Sequence, residues 1–362
     1  MSKIILISPK DNNFYNFRSE LILKLHEMHN EVILVCPYGT KIDYFTERGC
    51  RFIDLSMDRR GKNILKDFKL MCEYYKLIRN EQPDIVLTYT TKPSVFAGFV
   101  CILLKIPYIV NNAGLMEADG LFNNFLNFLY QVSFRKASCI MFQNSFEQKT
   151  VEKILNNKIH CRSIPGSGVN LKNFSYQSYP ENDDEIIFNY VARIVKNKGI
   201  DELLECAQRI KADYPNTRFV IYGDYDDDSY RGKVYDLEQQ GIVEYGGIQV
   251  DMKPFITVAH AVIHPSYYEG MTNVVLEHSA MGRACIGSNI PGVREGIEDS
   301  KTGYLFKVKD VDSMVKAVKN FIELPYQEKA AMGKAAREKM EREFDRDIVT
   351  SIYVEEIYRI LN

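Results

Sequence analysis

The sequence predicts an α/β chain in which two parallel sheets, each covered by helices, follow one another, and three observations carry that expectation. The first is a series of strand-length apolar runs separated by helical patterns: Ile4 to Ser8, Val32 to Cys36, Phe52 to Leu55, Ile85 to Tyr89, Tyr108 to Asn111 and Ile140 to Phe142. Such alternation reads as βαβ units, whose parallel strands are buried on both faces and therefore stay apolar along their length. The second is that the series starts again, with Ile186 to Val191, Phe219 to Tyr222, Val243 to Tyr245, Ala261 to His264, Cys285 to Gly287 and Gly303 to Phe306. The third is the break between the two series, where Pro165-Gly-Ser-Gly168 is followed by the polar stretch Tyr176 to Glu185. Two Rossmann-like, doubly wound domains follow, residues 1–168 and 169–344, with a helical tail over 345–362.

The 362 residues suffice for two domains of ordinary size, each with its own core. The eight cysteines form no Cys-x-x-Cys spacing and sit mostly in apolar runs, so they read as small buried hydrophobes in a reducing, cytoplasmic setting rather than as a zinc site. The opening run Lys3-Ile-Ile-Leu-Ile-Ser8 is too short for a signal peptide and reads as a first strand. The best candidate for a membrane span, Val95 to Leu104, stops at Lys105, short of the ~18 apolar residues a span needs.

The formal net charge of −2 disfavours nucleic acid as a partner. Residues 1–165 hold 22 Lys and Arg against 16 Asp and Glu, which leaves 24 (46 − 22) against 32 (48 − 16) for the rest. Two readings fit this asymmetry: a basic first half that meets an anionic acceptor or a membrane surface, or compositional scatter.

The most informative segment is Ser266 to Gly292, in which Glu269 and Glu277 stand eight positions apart. Apolar runs on either side, Ala261-Val-Ile-His-Pro265 and Ala284-Cys-Ile-Gly287, place the pair on a strand, loop, helix, strand unit, with the helix expected to begin at Gly270. The N-terminus of a helix offers unpaired backbone N–H groups to a phosphate, and a carboxylate on either side of it accepts hydroxyls from whatever the phosphate carries. A sugar nucleotide has both. Upstream, Tyr190-Val-Ala-Arg193 runs from a strand toward Lys198-Gly199 and the helix Asp201 to Lys211, which leaves Arg193 and Lys198 at a second strand end as a cationic clamp for a diphosphate.

At these residues the chain resembles the retaining GT-B glycosyltransferases of the Glu, seven residues, Glu type (family 4), especially those that build bacterial capsule, exopolysaccharide and lipid-linked oligosaccharides. Arg193 with Lys198, the Glu269 to Glu277 block, Gly287 to Gly292 with its Ile-Pro-Gly turn, Thr302-Gly-Tyr-Leu-Phe306 and Ile164-Pro-Gly-Ser-Gly-Val-Asn170 fall in the family's order. Thr88-Tyr-Thr-Thr-Lys-Pro93 and Asn112-Ala-Gly-Leu115 are weaker counterparts. The resemblance implies a UDP-sugar as donor, held mainly by the C-terminal domain. Glu277 takes the ribose hydroxyls, Glu269 the sugar hydroxyls, and the backbone of Gly270, Met271 and Thr272, beside Asn273, the phosphates. Arg193 and Lys198 stabilise the departing phosphate in place of a metal. It further implies a hexose or N-acetylhexosamine transferred to a glycan acceptor, lipid-linked on a polyprenyl diphosphate, by an enzyme peripheral to the cytoplasmic membrane face, with the last helix crossing back to the N-terminal domain on the apolar stripe Ile348, Ile352, Ile357 and Leu361. A tail packed only on its own domain fits the sequence equally.

On the acceptor side Asn12, Asn13, Lys92, Asn112 and Glu117 are the candidates, with Asp119 beside them; turn and cap residues would look the same. The segment Leu121 to Tyr130, followed by Arg135 and Lys136, reads either as a surface that rests on a bilayer or as core packing. No Gly-x-Gly-x-x-Gly follows the first strand, which disfavours NAD or FAD and departs from relatives with paired glycines there. Neither metal-like pattern is persuasive: Asp226, Asp227 and Asp228 are consecutive and read, with Asp224, as a solvated loop, and His260 and His264 lie ~13 Å apart if they share a strand. No metal or other cofactor is expected. Two other functions share the pattern, a UDP-sugar epimerase of the same architecture and a non-catalytic nucleotide-sugar-binding partner.

Overall fold

The computed structural model describes residues 1–57, 64–111, 131–154, 159–181 and 184–362. The chain divides into two compact units, Met1–Ser167 with Asp347–Asn362, and Gly168–Arg346.

In the first unit the strands β1 (Lys3–Ile7), β2 (Glu31–Cys36), β3 (Arg51–Asp54), β4 (Ile85–Tyr89), β5 (Tyr108–Asn111), β6 (Cys139–Phe142) and β7 (Cys161–Ser163) form a parallel sheet in the order β3-β2-β1-β4-β5-β6-β7. The apolar runs are explained by burial on both faces. Ile5, Ile7, Ile33 and Val35 belong to one core layer, and Ile4, Leu6, Val32 and Leu34 to the opposite one. Strand β7 is an addition to the sequence reading. Its Cys-Arg-Ser is too short and polar to register as an apolar run, and it becomes a strand through its pairing with β6 at the sheet edge.

After β1 a helix already spans Asp11–Glu27, so Asn12 and Asn13 lie in its first turn, where Asn13 Nδ2 donates to Ser8 Oγ at 3.1 Å.

The tail is helical over Tyr326–Lys339 and Arg346–Leu361, with a π-turn at Met340–Phe344 between them. On the first of these helices Lys329 and Lys339 are buried. The last helix is part of the first unit, and of the expected stripe Ile357 is buried in its core, with Ile352 and Leu361 packed against it. Val349, Tyr353 and Ile357 join the layer formed by Phe14, Leu21 and Ile22. Polar contacts fix the helix there. Tyr353 bonds to Asn111 Oδ1 and accepts from the buried Arg18 guanidinium at 3.3 Å, Asn30 Nδ2 donates to the Tyr358 hydroxyl at 2.9 Å, and Glu356 joins His160 at 3.1 Å and pairs with Arg359. Arg18 also faces the rings of Tyr89 and Tyr353, 5.4 and 5.2 Å from their centroids.

In the second unit β8 (Ile186–Val191), β9 (Thr217–Tyr222), β10 (Glu244–Gly247), β11 (Ala261–His264), β12 (Ala284–Ser288) and β13 (Gly303–Phe306) are parallel in the order β10-β9-β8-β11-β12-β13. The strand order reverses beside β8. In such sheets the loops that leave adjacent strands diverge at this point and open a crevice at the strand carboxyl ends. Arg193 and Lys198 follow β8, and Glu269 follows β11, so the topology brings the two sequence motifs to one place.

Tyr353 is fully buried, and its hydroxyl carries two of the tail's hydrogen bonds. Tyr353→Ala should therefore cost about 3–5 kcal/mol, as aromatic truncation in a core does. Hydrogen exchange read by mass spectrometry should show β1, β4 and β5 losing protection while β8 to β13 keep theirs; equal loss in both units would contradict this assignment of the tail.

Candidate functional site

The site in the second unit is built from three loops whose backbones touch. Gly199, at φ 72°, closes the short turn Lys196–Lys198 and leads into the helix Ile200–Asp213; a Cβ there would stand 2.2 Å from the carbonyl oxygen of Pro265. Tyr267 N donates to Asn197 O at 3.0 Å across the same contact. Gly292, at φ 84°, comes as close to the other side of the Glu269 loop: its Cβ would meet Glu269 O at 2.5 Å and Gly270 O at 2.6 Å. Only glycine combines the left-handed backbone with so close an approach. The turns after β8 and β12 thus grip the loop after β11 from both sides.

This grip sets where the helix begins. Thr272 N donates to Gly292 O at 3.0 Å, and Thr272 is extended, at φ −85° and ψ 113°, so the helix spans Asn273–Ala280 with Thr272 as its N-cap. The expected start at Gly270 is corrected by three residues, because the backbone of this stretch bonds to the Ile-Pro-Gly turn. The Thr272 N–H is engaged there. The unpaired donors of the helix end belong instead to Asn273 and the residues that follow.

Lys198 and Glu269 form an ion pair, with Nζ 2.5 Å from Oε1. A third group joins them. His264, the last residue of β11 and only 3% exposed, brings its Nε2 to 3.2 Å from the same oxygen. Burial works against the charge of Glu269, but His264 and Lys198 outweigh it and hold the carboxyl down at about 2. Glu277 is in the opposite state. It is partly buried, with no hydrogen-bond partner for its carboxyl among the described residues, and burial pushes it up to about 7 against the pull of the Arg346 guanidinium. One carboxylate is ionised and held, and the other is poised near neutrality.

Arg193 lies half-exposed in the loop after β8, where Ala192 N donates to Tyr222 O at 3.1 Å and Ile194 N to Asp224 O at 2.8 Å. It pairs with Asp226. The acidic run is exposed at Asp224, Asp226 and Asp228, as expected of a solvated loop, and its members also make surface contacts: Asp227 accepts from Ser229 N at 3.0 Å, and Asp228 binds Arg231 at 2.7 Å. Among the described residues the group of three metal-capable side chains within 4.8 Å is Cys139, His160 and Glu356, in the first unit. His260 and His264 do not act together; His260 Nδ1 accepts from Ile187 N at 3.1 Å.

The acceptor-side candidates separate. Asn12 and Asn13 at the end of β1, and Lys92 after β4, lie at the carboxyl edge of the first sheet where its strand order reverses. Lys92 donates to Asp67 Oδ1 at 2.8 Å, so it is an ion-pair partner rather than a free cation. Asp67, Lys66, Lys69, Leu55 and Met57 line a cavity of about 500 Å³ beyond β3. Asn112, Glu117, Asp119 and Leu121 to Tyr130 lie outside the described residues.

Sequence reasoning passed over two residues that the structure places in the site, His264 and Asp226. The signal for His264 was its position, five residues before Glu269 at the end of an apolar run. Its pairing with His260 as a false metal motif obscured it. Asp226 had no usable signal, since nothing along the chain singles it out from its acidic neighbours.

Two family models match the chain, Glycosyl transferases group 1 over residues 172–339 and Glycosyl transferase 4-like over residues 3–144. Among curated proteins, the N,N'-diacetylbacillosaminyl-diphospho-undecaprenol alpha-1,3-N-acetylgalactosaminyltransferase of Campylobacter jejuni is 24% identical over 383 aligned positions, which cover 99% of each chain. The UDP-Gal:alpha-D-GlcNAc-diphosphoundecaprenol alpha-1,3-galactosyltransferase of Escherichia coli is 22% identical, covering 80% of this chain and 79% of its own. Of the solved structures, a glycosyltransferase from Rickettsia africae superimposes with a TM-score of 0.80 at 17% identity over 100% of this chain and 99% of that one. The Anabaena protein HepE in complex with UDP-glucose does so with a TM-score of 0.81 at 14% identity over 99% and 100%. With both halves matched in order and the GT-B fold shared along the whole length, the chain belongs to the group 1 glycosyltransferases.

Proposed function

We propose that the chain is a retaining glycosyltransferase that moves a hexose or N-acetylhexosamine from a UDP-sugar to a saccharide carried on a polyprenyl diphosphate, without a metal ion. The observation that carries this reading is the placement of Arg193 and Lys198 after β8 and of Glu269 after β11, at the reversal point of the second sheet, with the Lys198–Glu269 ion pair joining the two segments and the helix end at Asn273 and Glu277 following on the second. That set matches a nucleotide-sugar part by part. The N–H groups at Asn273 face phosphate oxygens; Glu277 accepts ribose hydroxyls; Glu269, already ionised, accepts hydroxyls of the sugar. Arg193 and Lys198 are the groups able to leave Asp226 and Glu269 for the diphosphate as its charge grows.

The relatives support the same reading. Both curated transferases named above have undecaprenyl-diphosphate acceptors in their names, and the Escherichia coli enzyme is named for a UDP-Gal donor. Both names specify alpha linkages, the anomer that retention gives from an α-configured UDP-sugar. The acceptor hydroxyl then attacks on the face the phosphate leaves, and the departing β-phosphate takes its proton. The acceptor side comprises Asn12, Asn13, Asn112 and Glu117, with Lys92 tied to Asp67, on a chain peripheral to the cytoplasmic face of the membrane. Among the described residues no helix is long and apolar enough to cross a membrane.

The test is incubation with a panel of UDP-sugars and polyprenyl-diphosphate saccharides in excess EDTA. UDP and an extended lipid-linked glycan should both appear, at a rate close to that without chelator. An epimerised UDP-sugar, no product, or activity that returns only with magnesium or manganese would each contradict the proposal.

Arg193→Ala and Lys198→Ala should each lower kcat by about two to three orders of magnitude, the usual effect of removing a group that meets transition-state charge. Steady-state kinetics with unchanged kcat and a raised KM would assign them to ground-state binding instead.

The two glutamates should separate by calorimetry with UDP. Glu277→Ala should weaken UDP by about 1.5–3 kcal/mol, the range for a charge-assisted hydrogen bond, and Glu269→Ala should leave it nearly intact, because UDP lacks the hexosyl hydroxyls. The poised state of Glu277 adds a pH signature. Its carboxyl sits near 7 rather than 4.5, so the unliganded second unit is favoured with Glu277 protonated and loses that contribution as pH rises through about 7. The ionised form is the better acceptor of ribose hydroxyls, so UDP affinity should climb across the same window. Glu277→Gln should flatten that climb, which distinguishes it from the titration of the terminal phosphate of UDP near about 6; an unchanged slope would remove Glu277 from the ribose site.

A further inference from the structure

We propose that His264 is a positioning residue for transfer: it holds Glu269 by one carboxylate oxygen, so that the other oxygen is presented to the donor sugar while Lys198 is released to the diphosphate. The proposal rests on the donor-site reading above and adds to it a residue outside the two-glutamate pattern.

Three features of the geometry lead there. Lys198 Nζ and His264 Nε2 both reach Oε1 of Glu269, at 2.5 and 3.2 Å, and Oε2 has no hydrogen-bond partner among the described residues. An ionised carboxylate only accepts, so the imidazole proton sits on Nε2 and is donated to Glu269. That tautomer leaves Nδ1 buried and without a hydrogen-bond partner. For stability alone, an imidazole with an unpartnered ring nitrogen is a poor occupant of a position 3% exposed, where leucine carries no polar atom. Its contribution is to the carboxylate.

The two donors differ in mobility. Lys198 is a flexible ammonium on a short turn, whereas His264 ends a central strand that is hydrogen-bonded to β8 and β12. When Lys198 turns toward a diphosphate, a Glu269 held by Lys198 alone would be free to rotate; His264 keeps Oε1 in place without the carboxylate having to reorient. Sharing one oxygen lets a single ion pair serve the resting site and then open. The loss of either function on removing His264 should show in turnover and sugar discrimination rather than in nucleotide binding.

The experiment compares His264→Leu, His264→Gln and Glu269→Ala with wild type in the full chain. The measurements are UDP calorimetry, thermal unfolding, and transfer from UDP-galactose, UDP-glucose and their N-acetyl forms. His264→Leu should unfold at or above the wild-type temperature and bind UDP within about twofold. Its kcat should fall about 10- to 100-fold, the usual scale for a misplaced reacting geometry, and its preference among the sugars should narrow. His264→Gln, whose amide can still donate, should recover part of both. Wild-type kcat and preference in His264→Leu alongside a loss in Glu269→Ala would overturn the positioning role and leave the donor site standing. Losses of kcat that track losses of thermal stability in both His264 variants would overturn it in favour of packing. No effect in Glu269→Ala, or no UDP binding by wild type, would instead remove the donor-site reading itself.

Discussion

The second unit depends on the contact of three backbones at the carboxyl end of its sheet. The turn after β8 lies on Pro265 through Gly199, and the turn after β12 lies on Glu269 and Gly270 through Gly292. A side chain at either glycine would push a whole loop away. From that contact follow the direction in which Lys198 points, the reach of His264 to Glu269, and the point at which Thr272 stops pairing with the Ile-Pro-Gly turn and the helix begins. The chemistry of the site is in this sense a consequence of how closely peptide groups approach.

Within that frame, identical side chains are driven to opposite ends of their range. Glu269 is desolvated but meets His264 and Lys198, and it stays ionised; Glu277 is desolvated with only the Arg346 charge to offset it, and it is held near neutrality. Burial alone raises a carboxyl, so the difference between the two lies in their partners. Such a split suits a ligand with two sets of hydroxyls, one met by a fixed acceptor and the other by a group that becomes an acceptor as the ligand arrives.

The first unit solves a separate problem with the same kind of sheet. Its last helix comes from the far end of the chain and has to be recognised without the help of sequence proximity. An apolar stripe supplies the area, while Arg18, Asn30, Asn111 and His160 supply the register through side-chain bonds to Tyr353, Tyr358 and Glu356. The buried Arg18 guanidinium faces two tyrosine rings, and a buried charge left without such partners is costly.

The division between what the sequence determined and what the tertiary structure decided follows from the range of the interactions. Apolar runs of strand length with helices between them are local, and they defined the two sheets, most strand limits and the break near residue 170. That Glu269 and Glu277 share one strand-loop-helix segment, and Arg193 and Lys198 another, was legible for the same reason. Strand β7 was not, since a three-residue Cys-Arg-Ser stretch becomes a strand only when β6 is beside it. Nor was the helix start at Asn273, which depends on a hydrogen bond from Thr272 to a turn twenty residues on. The ion pair of Lys92 was not legible because Asp67 lies on another helix, and the contact of His264 with Glu269 was not legible because it is made only in the fold. Local periodicity and residue type specify the elements and the chemical groups they carry. Which groups meet, and in which charge state, was decided by long-range packing, because desolvation and hydrogen bonding act between atoms that only the folded chain brings within 3 Å or so of one another.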